Sequence, residues 1–157
     1  MSLEKATEYL KQYGLADRIQ VTEKSSATVK EAAIALGCEE KEIAKTLSFY
    51  VEDKPILIVT AGDQKIDNGK YKAEFHTKAK MIPFAEVEEK IGHSVGGVCP
   101  FGINPGISVY LDTSLQRFSL VYPACGSANS GIKLSIEELE RITHFIKWID
   151  VCKAIEE

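Results

Sequence analysis

Residues 45–61 read KTLSFYVEDKPILIVTA, and this stretch decides the fold. Segments 45–51 and 55–61 are apolar and rich in β-branched and aromatic residues, which favour extended structure. The charged residues Glu52, Asp53 and Lys54 separate the two segments, as expected of a turn. We therefore predict two strands around a turn.

Capping and periodicity signals on both sides of this stretch predict helices. Thr28 followed by Glu31 has the spacing of a capping box, and Ser135 with Glu138 repeats it. Helices are predicted from a cap at Ser2, over 29–36, from a cap at Asp67 through Phe75, from Pro83 to Ile91, and after Ser135. In the helix that begins at Pro83, Phe84 is expected to face inward together with Val87 and Ile91.

Further strands are predicted over 18–21, 107–112 and 118–123, with a weaker signal over 132–134. Residues 144–151 are compatible with a last strand or a short helix. Strands and helices intermix without strict βαβ alternation, which predicts an α/β fold of the mixed α+β kind. We expect one domain over 1–157, with a mixed sheet flanked by helices.

Composition excludes several classes of protein. The net charge of −4 disfavours a broad, non-specific nucleic-acid binder, because such proteins are usually basic. The four cysteines form no C-x-x-C pair and the three histidines are not clustered, so we expect no metal site and reduced thiols. No apolar run approaches the roughly 20 residues of a membrane helix, and the N terminus lacks a signal-peptide pattern. We expect a cytoplasmic protein without membrane contact.

Several familiar catalytic motifs are absent from the sequence. It contains no H-E-x-x-H, no phosphate-binding P-loop, no G-x-G-x-x-G and no G-x-S-x-G. We therefore expect no cofactor and no serine-hydrolase mechanism.

Residues 92–106, GHSVGGVCPFGINPG, hold five of the 11 glycines and two of the five prolines. Glycine admits positive φ and close approach of a ligand, whereas proline fixes its own φ. The mixture indicates a loop held in one unusual shape, whose N–H groups can bind an anion or a developing oxyanion. The alternative is a complicated turn between a helix and a strand.

Three other features are candidates for function. Lys45 begins an apolar strand and can grip a phosphate or carbonyl oxygen, or simply face solvent. Cys99 lies in the glycine-rich loop, six residues after His93, and is either a nucleophile with a depressed pKa or a small packing residue. A run of basic residues can steer a nucleic-acid backbone or form an ordinary solvated surface. That run comprises Lys65, Lys70, Lys72, His76, Lys78 and Lys80.

Together these motifs resemble the YbaK/ProX/EbsC family of aminoacyl-tRNA editing domains, which are related to the insertion domain of bacterial prolyl-tRNA synthetases. The resemblance spans about 45–139. Its motifs are 44–47 (AKTL), 61–63 (AGD) with Ile66, Asp67 and Lys70, 96–102 (GGVCPFG), 109–112 (VYLD), 126–127 (GS) and 132–139 (IKLSIEEL).

The resemblance implies a partly curled sheet surrounded by helices and hydrolysis of the ester between a wrong amino acid and the terminal ribose of tRNA. It implies no metal or cofactor. The implied catalytic residues are Lys45, Gly96 and Gly97. The implied substrate-binding residues are Thr46, Val98, Cys99, Pro100, Phe101, Gly102, Gly126 and Ser127. Lys65, Lys70 and Lys72 are expected to bind tRNA. The implied partners are an aminoacyl-tRNA, through its 3′-terminal adenosine and acceptor stem, and an aminoacyl-tRNA synthetase.

Specificity is where this sequence departs from the family. Segment 124–131, ACGSANSG, lacks the arginine of members that remove Cys and the histidine of the alanine-editing type. The amino acid therefore stays open, with a small one such as Ala, Ser or Cys expected. We predict a freestanding trans-editing deacylase, acting on tRNA(Pro) that carries a small wrong amino acid such as Ala or Cys. The alternatives are a non-catalytic tRNA- or nucleotide-binding regulator and thiol chemistry at Cys99.

Overall fold

The computed structural model describes residues 2–155. Its α-helices are α1 (Ser2–Lys11), α2 (Val29–Leu36), α3 (Asn68–Phe75), α4 (Val87–Ile91) and α5 (Ile136–Thr143). Its strands are β1 (Gln20–Val21), β2 (Ile43–Val51), β3 (Lys54–Ala61), β4 (Gln64–Ile66), β5 (Ser108–Asp112), β6 (Leu120–Pro123), β7 (Ser130–Gly131), β8 (Leu134–Ser135), β9 (Trp148–Ile149) and β10 (Cys152–Ala154). Short 3₁₀ helices lie at Ala16–Arg18, Glu40–Glu42, Phe84–Glu86 and Thr113–Arg117.

A six-stranded mixed sheet forms the centre, in the order β8-β6-β2-β3-β5-β9. The pairs β2–β3 and β6–β8 are antiparallel, whereas β2–β6, β3–β5 and β5–β9 are parallel. Two small antiparallel pairs, β1–β7 and β4–β10, lie beside it. The predicted fold class, a mixed α/β fold with a partly curled sheet, is confirmed.

Residues 45–61 form most of the β2–β3 hairpin, as predicted. Val51 pairs with Lys54, so the connection is only Glu52 and Asp53, with φ of 51° and 64°. Positive φ at both positions gives the tight turn whose twist matches that of the strands. Lys54, assigned to the turn from the sequence, is therefore the first residue of β3.

The hairpin residues alternate between two apolar layers. Phe49, with Ile56 and Ile58 of β3, packs beneath Tyr71 of α3 on one face. On the other face, Ala44, Leu57 and Val59 pack in a larger core that includes buried residues of α1, α4 and α5. Helices thus cover both faces, and neighbouring residues of β2 point into different layers.

The predicted helix caps are confirmed at three helices. The Thr28 hydroxyl accepts a hydrogen bond from the Glu31 N–H (3.1 Å), and the Asp67 carboxylate accepts one from the Lys70 N–H (3.0 Å). Ser135 and Glu138 form the reciprocal capping box. Each cap satisfies backbone donors that the first turn of a helix leaves unpaired.

Other expectations need correction. Ser2 lies inside α1, and its hydroxyl accepts a hydrogen bond from the Ser94 N–H (3.0 Å). The segment after Pro83 is a 3₁₀ turn followed by α4, and Phe84 is 77% exposed because only Val87 and Ile91 face the core. The strand predicted over 18–21 is reduced to β1. Residues 144–151 contribute β9.

Neither a membrane-spanning helix nor a metal cluster occurs within 2–155. No helix in this range combines the length and apolar character needed to cross a bilayer. No group of three or more His, Cys, Asp or Glu side chains there is placed to hold a metal ion.

Candidate functional site

A cavity of about 670 Å³ opens beside strand β2. This volume falls within the range of small-molecule sites, about 300–1,000 Å³. Most lining side chains are apolar and come from α2, β2, β6, the segment at 81–87 and the glycine-rich loop. They include Val29, Ala32, Leu36, Ile43, Ile82, Val87 and Val98. The cavity can therefore hold a largely uncharged group.

The cavity exists because β2 has a gap along one edge. Strand β6 pairs with β2 at Ile43 and Ala44. Further along, the Tyr50 N–H donates to the Lys80 carbonyl (2.9 Å) and the Ile82 N–H donates to the Ser48 carbonyl (3.1 Å). The edge between these two contacts, at Thr46, faces the cavity.

Strand geometry decides which backbone groups reach that gap. In a two-residue hairpin the residues that flank the turn exchange hydrogen bonds, so Val51 and the other odd-numbered residues of β2 bond to β3. The even-numbered residues direct their N–H and C=O groups to the opposite edge, as the bonds of Ser48 and Tyr50 show. The N–H and C=O of Thr46 therefore point into the gap.

The Thr46 side chain adds a third polar group at the same place. Its hydroxyl oxygen is buried and has no hydrogen-bond partner within the part of the chain that the structure describes. Thr46 also lines the cavity. A buried polar group without a partner costs free energy, so it is rare unless something else binds there. The N–H and hydroxyl of Thr46 are therefore candidate donors to an oxygen atom of a ligand at the cavity wall.

Lys45 lines the cavity from the adjacent position on β2. Its side chain lies on the α3 side of the sheet, and its ammonium donates a hydrogen bond to the Gln64 carbonyl in β4. Burial lowers the pKa of Lys45, while the nearby Cys152 and Asp63 oppose that shift. An ammonium has three N–H donors, so the bond to Gln64 does not use all of them.

Three serines that line the cavity were not predicted from the sequence as site residues. Ser48 follows Thr46 on the same face of β2, and alternation along the strand was the signal that could have found it. Ser26 and Ser130 also line the cavity, and both are buried. They are distant in sequence and are brought together beside the β1–β7 pair, where no local pattern marks them.

The glycine-rich loop contributes part of its predicted set to the cavity. Gly96 and Val98 line it. The Gly97 N–H already donates to the Ser94 carbonyl (3.0 Å), and the Gly97 carbonyl accepts a hydrogen bond from the Gly126 N–H (2.9 Å). A Cβ at Gly97 would lie 2.3 Å from the Ser127 nitrogen. Gly97 is therefore a close-packing position, and its N–H is engaged within the loop.

The rest of that loop anchors it in the core. Cys99 and Phe101 are fully buried and Pro100 is buried, while a Cβ at Gly102 would lie 2.4 Å from the Lys5 carbonyl oxygen of α1. Burial raises the pKa of the Cys99 thiol to about 12, although His93 Nε2 lies 3.5 Å from its sulfur. A buried neutral thiol is a poor nucleophile, so this geometry favours packing over thiol chemistry.

Residues 23–142 match the sequence model of the family described as the aminoacyl-tRNA editing domain. The chain belongs to this family. The family predicted from the residues is thus confirmed. The match begins at residue 23, whereas the predicted resemblance began at about residue 45.

The editing domain is similar to several individual proteins and solved structures. The chain is 49% identical to the uncharacterized protein YwhH of Bacillus subtilis over 154 residues, which cover 98% of each. It is 25% identical to a proline–tRNA ligase of Ligilactobacillus salivarius over 138 residues, which cover 86% of this chain and 24% of the ligase. Among solved structures it is similar to a candidate trans-editing enzyme for prolyl-tRNA synthetase, with a TM-score of 0.87, 28% identity and 98% coverage of each chain.

Gly126 and Ser127 of the editing domain lie at a second cavity, of about 1,260 Å³. Phe84 and Val95 line both cavities, so the two share a wall. Gly126 is held against α1, since a Cβ there would lie 2.4 Å from the Ser2 carbonyl oxygen. The Ser127 hydroxyl contacts the Ser130 hydroxyl (2.6 Å), which connects the second cavity to the wall of the first.

The three predicted tRNA-binding lysines of the editing domain lie outside both cavities. Lys70 and Lys72 are on α3, which covers the face of the sheet opposite Thr46. Lys70 donates to Asp150 (3.1 Å) and to the Cys152 carbonyl (2.9 Å). Lys65 is exposed on β4, directly across from Lys153 of β10.

Proposed function

We propose that this editing domain is a deacylase that acts in trans and hydrolyses the ester of a mischarged aminoacyl-tRNA. The proposed substrate is tRNA(Pro) carrying a small wrong amino acid such as Ala or Cys. Support comes from the family assignment, from the likeness to proline–tRNA ligases, and from the likeness to the candidate trans-editing enzyme. The observation that carries the proposal is the Thr46 hydroxyl, which lies at a gap in the sheet beside an apolar cavity and has no hydrogen-bond partner in the described range 2–155.

In the proposed reaction, water attacks the carbonyl carbon of the ester, and the carbonyl oxygen becomes an oxyanion. The N–H and hydroxyl of Thr46 donate to that oxygen, and the Lys45 ammonium, on the other face of the sheet, adds positive charge from across β2. The bond between the carbonyl carbon and the ribose oxygen then breaks, the ribose oxygen takes up the proton that the attacking water gives up, and the amino acid leaves with a free carboxyl group. Preorganised donors of this kind are each worth about 100- to 1,000-fold in rate.

This assignment changes the role proposed for the glycine-rich loop. Because the Gly97 N–H is bonded to Ser94, we assign oxyanion binding to Thr46. Gly96 and Val98 would shape the wall that the substrate contacts. The mostly apolar lining supports a small uncharged amino acid, since burying an unpaired charge there would be costly.

The other proposed partners are the backbone of the tRNA and a synthetase. Exposed Lys65 and Lys72 would contact the RNA backbone away from the cavity, and Lys70 would contribute less because Asp150 already binds it. A synthetase that delivers the mischarged tRNA stays a prediction. The activity would operate in the cytoplasm, where aminoacyl-tRNA is used.

The test is deacylation of a panel of mischarged tRNAs by the wild type and by Lys45→Ala. We expect turnover of at least one small-amino-acid ester, and a decrease in kcat of about 100-fold in Lys45→Ala. Lys54→Ala, which removes an exposed lysine at the far end of the same hairpin, is the matched control and should keep wild-type activity.

Two results would contradict parts of this proposal. Equal deacylation by the wild type and Lys45→Ala across the panel would exclude the role given to Lys45. Salt-dependent tRNA binding by the wild type without hydrolysis of any ester would instead support a non-catalytic regulator. Thermal unfolding of each variant separates loss of activity from loss of fold.

A further inference from the structure

The second cavity differs from the first in its polarity. Beside apolar residues it presents Lys5, Glu88, Glu89, Ser94 and Asn104. The Lys5 ammonium donates to the Gly92 carbonyl (3.3 Å), and the Asn104 amide donates to the Glu89 carbonyl (2.9 Å). Two carboxylates and one ammonium make a surface that favours hydroxyl and amino donors and disfavours a phosphate.

Phe84 stands at the wall that the two cavities share. It is 77% exposed, and the apolar side chains of Met81 (58%) and Val95 (38%) at the same rim are also exposed. An aromatic ring left in solvent costs free energy unless a partner covers it, and aromatic rings are the usual platform for an unpaired base. The ring is thus placed to stack a flat group that enters the second cavity.

The covalent structure of the proposed substrate indicates which flat group would lie against Phe84. In an aminoacyl ester the amino acid is bonded directly to the ribose of the last nucleotide. If the amino acid occupies the first cavity, the ribose and its base must lie at the adjoining wall. Glu88 and Glu89 can accept hydrogen bonds from ribose hydroxyls or from an amino group of the base.

We propose that the second cavity binds the terminal nucleoside of the RNA substrate, with its base stacked on Phe84. This inference rests on the proposed function, because it takes the amino acid to lie in the first cavity. The acidic lining turns the 5′-phosphate of that nucleoside away from Glu88 and Glu89. Phe84 is then a substrate-binding residue outside the set predicted from the sequence.

The probe is an acceptor-stem RNA hairpin in which 2-aminopurine, whose fluorescence falls on stacking, replaces the terminal adenine. We expect the wild type to quench this fluorescence. Phe84→Leu should abolish the quenching and weaken binding roughly 5- to 150-fold, the range measured for loss of one base stack. Phe84→Tyr, which keeps an aromatic ring, should retain both. Ile146→Ala removes another exposed apolar side chain, away from both cavities, and should behave like the wild type.

The outcomes separate this inference from the proposed function. Quenching that persists in Phe84→Leu, or an RNA end that the wild type does not quench at all, would overturn the nucleoside site even if deacylation is observed. Phe84-dependent quenching without hydrolysis of any mischarged tRNA would support the site and reject the deacylase. In a working deacylase, Phe84→Leu should raise KM far more than it lowers kcat.

Discussion

At the scale of single residues, Thr46 is the position where stability and function oppose each other. Its hydroxyl is buried and has no hydrogen-bond partner among residues 2–155, which folding alone would not favour. Its backbone N–H and C=O face the gap in the same sheet edge. A residue that directs its hydroxyl and its backbone polar groups toward one cavity is what a site for a polar ligand requires.

Replacing this hydroxyl tests that interpretation. Thr46→Val keeps the shape of the side chain and removes a buried unpartnered group, so the free energy of unfolding should rise by about 1 kcal/mol. Deacylation should fall roughly 100- to 1,000-fold, because one oxyanion donor is lost. Denaturant unfolding and single-turnover hydrolysis measure the two effects.

Thr143→Val is the matched control for Thr46→Val. The Thr143 hydroxyl is also buried, but it donates to the Leu139 carbonyl (2.8 Å) within α5. Its loss should lower the free energy of unfolding by about 1 kcal/mol and leave hydrolysis unchanged. A stability loss in Thr46→Val as large as that in Thr143→Val would mean that the Thr46 hydroxyl has a structural partner.

At the scale of elements, the glycine-rich loop is built around a close contact between its two halves. Gly97 meets the 126–127 segment through the hydrogen bond from the Gly126 N–H, with no room for a Cβ at Gly97. This contact fixes the loop so that Gly96 and Val98 reach the cavity wall. The glycine at 97 therefore serves packing between segments.

Gly97→Ala should destabilise the fold strongly. The added Cβ would lie within 2.3–2.6 Å of backbone atoms of Gly126 and Ser127, which cannot move independently of the loop. We expect a loss of about 3 kcal/mol or more in the free energy of unfolding, near the upper end for overpacking. Gly106→Ala is the control, since its Cβ meets open space and only its φ of 85° is unfavourable, at a cost of about 1 kcal/mol. Similar denaturation midpoints for the two variants would contradict this account.

At the scale of the whole molecule, stability should decrease with acidity in two steps. His93 is fully buried, with its Nδ1 lacking a partner within residues 2–155, and burial lowers its pKa. The unfolded chain takes up this proton below pH about 6.5, before the folded protein does. The free energy of unfolding should therefore fall from about pH 6.5 downward, by at most about 1.4 kcal/mol per pH unit from this group.

A second decrease should begin near pH 4. Hydrogen bonds from Arg117 and Arg18 lower the pKa values of Asp63 and Glu138, so these carboxylates stabilise the fold above their ordinary pKa values and lose that effect in acid. Denaturant unfolding from pH 8 to pH 3, with NMR titration of the His93 ring, resolves the two steps. A His93 ring that titrates near pH 6.5 in the folded protein would remove the first step.

The sequence predicted the local structure well because its signals act over a few residues. Thr28, Asp67 and Ser135 each cap a helix through a bond that spans three residues, and each was identifiable from residue type and spacing. The hairpin was likewise predictable from two apolar segments and a charged turn. The prediction that Phe84 faces inward was wrong. Periodicity predicts which face of a helix is apolar, but it does not predict which residues of that face are covered by other segments of the chain.

By itself, the sequence determined the capped helices, the central hairpin, the mixed α/β fold and the editing-domain family. Only the tertiary structure decided where the polar groups of the site would meet. The gap beside Thr46 exists because β6 leaves β2 after Ala44 and the chain rejoins it near Phe49. Likewise, the Gly97 N–H is engaged because the loop folds back on Ser94. The physical reason is that caps and turns form within a few residues, whereas an open strand edge depends on segments far apart in the chain.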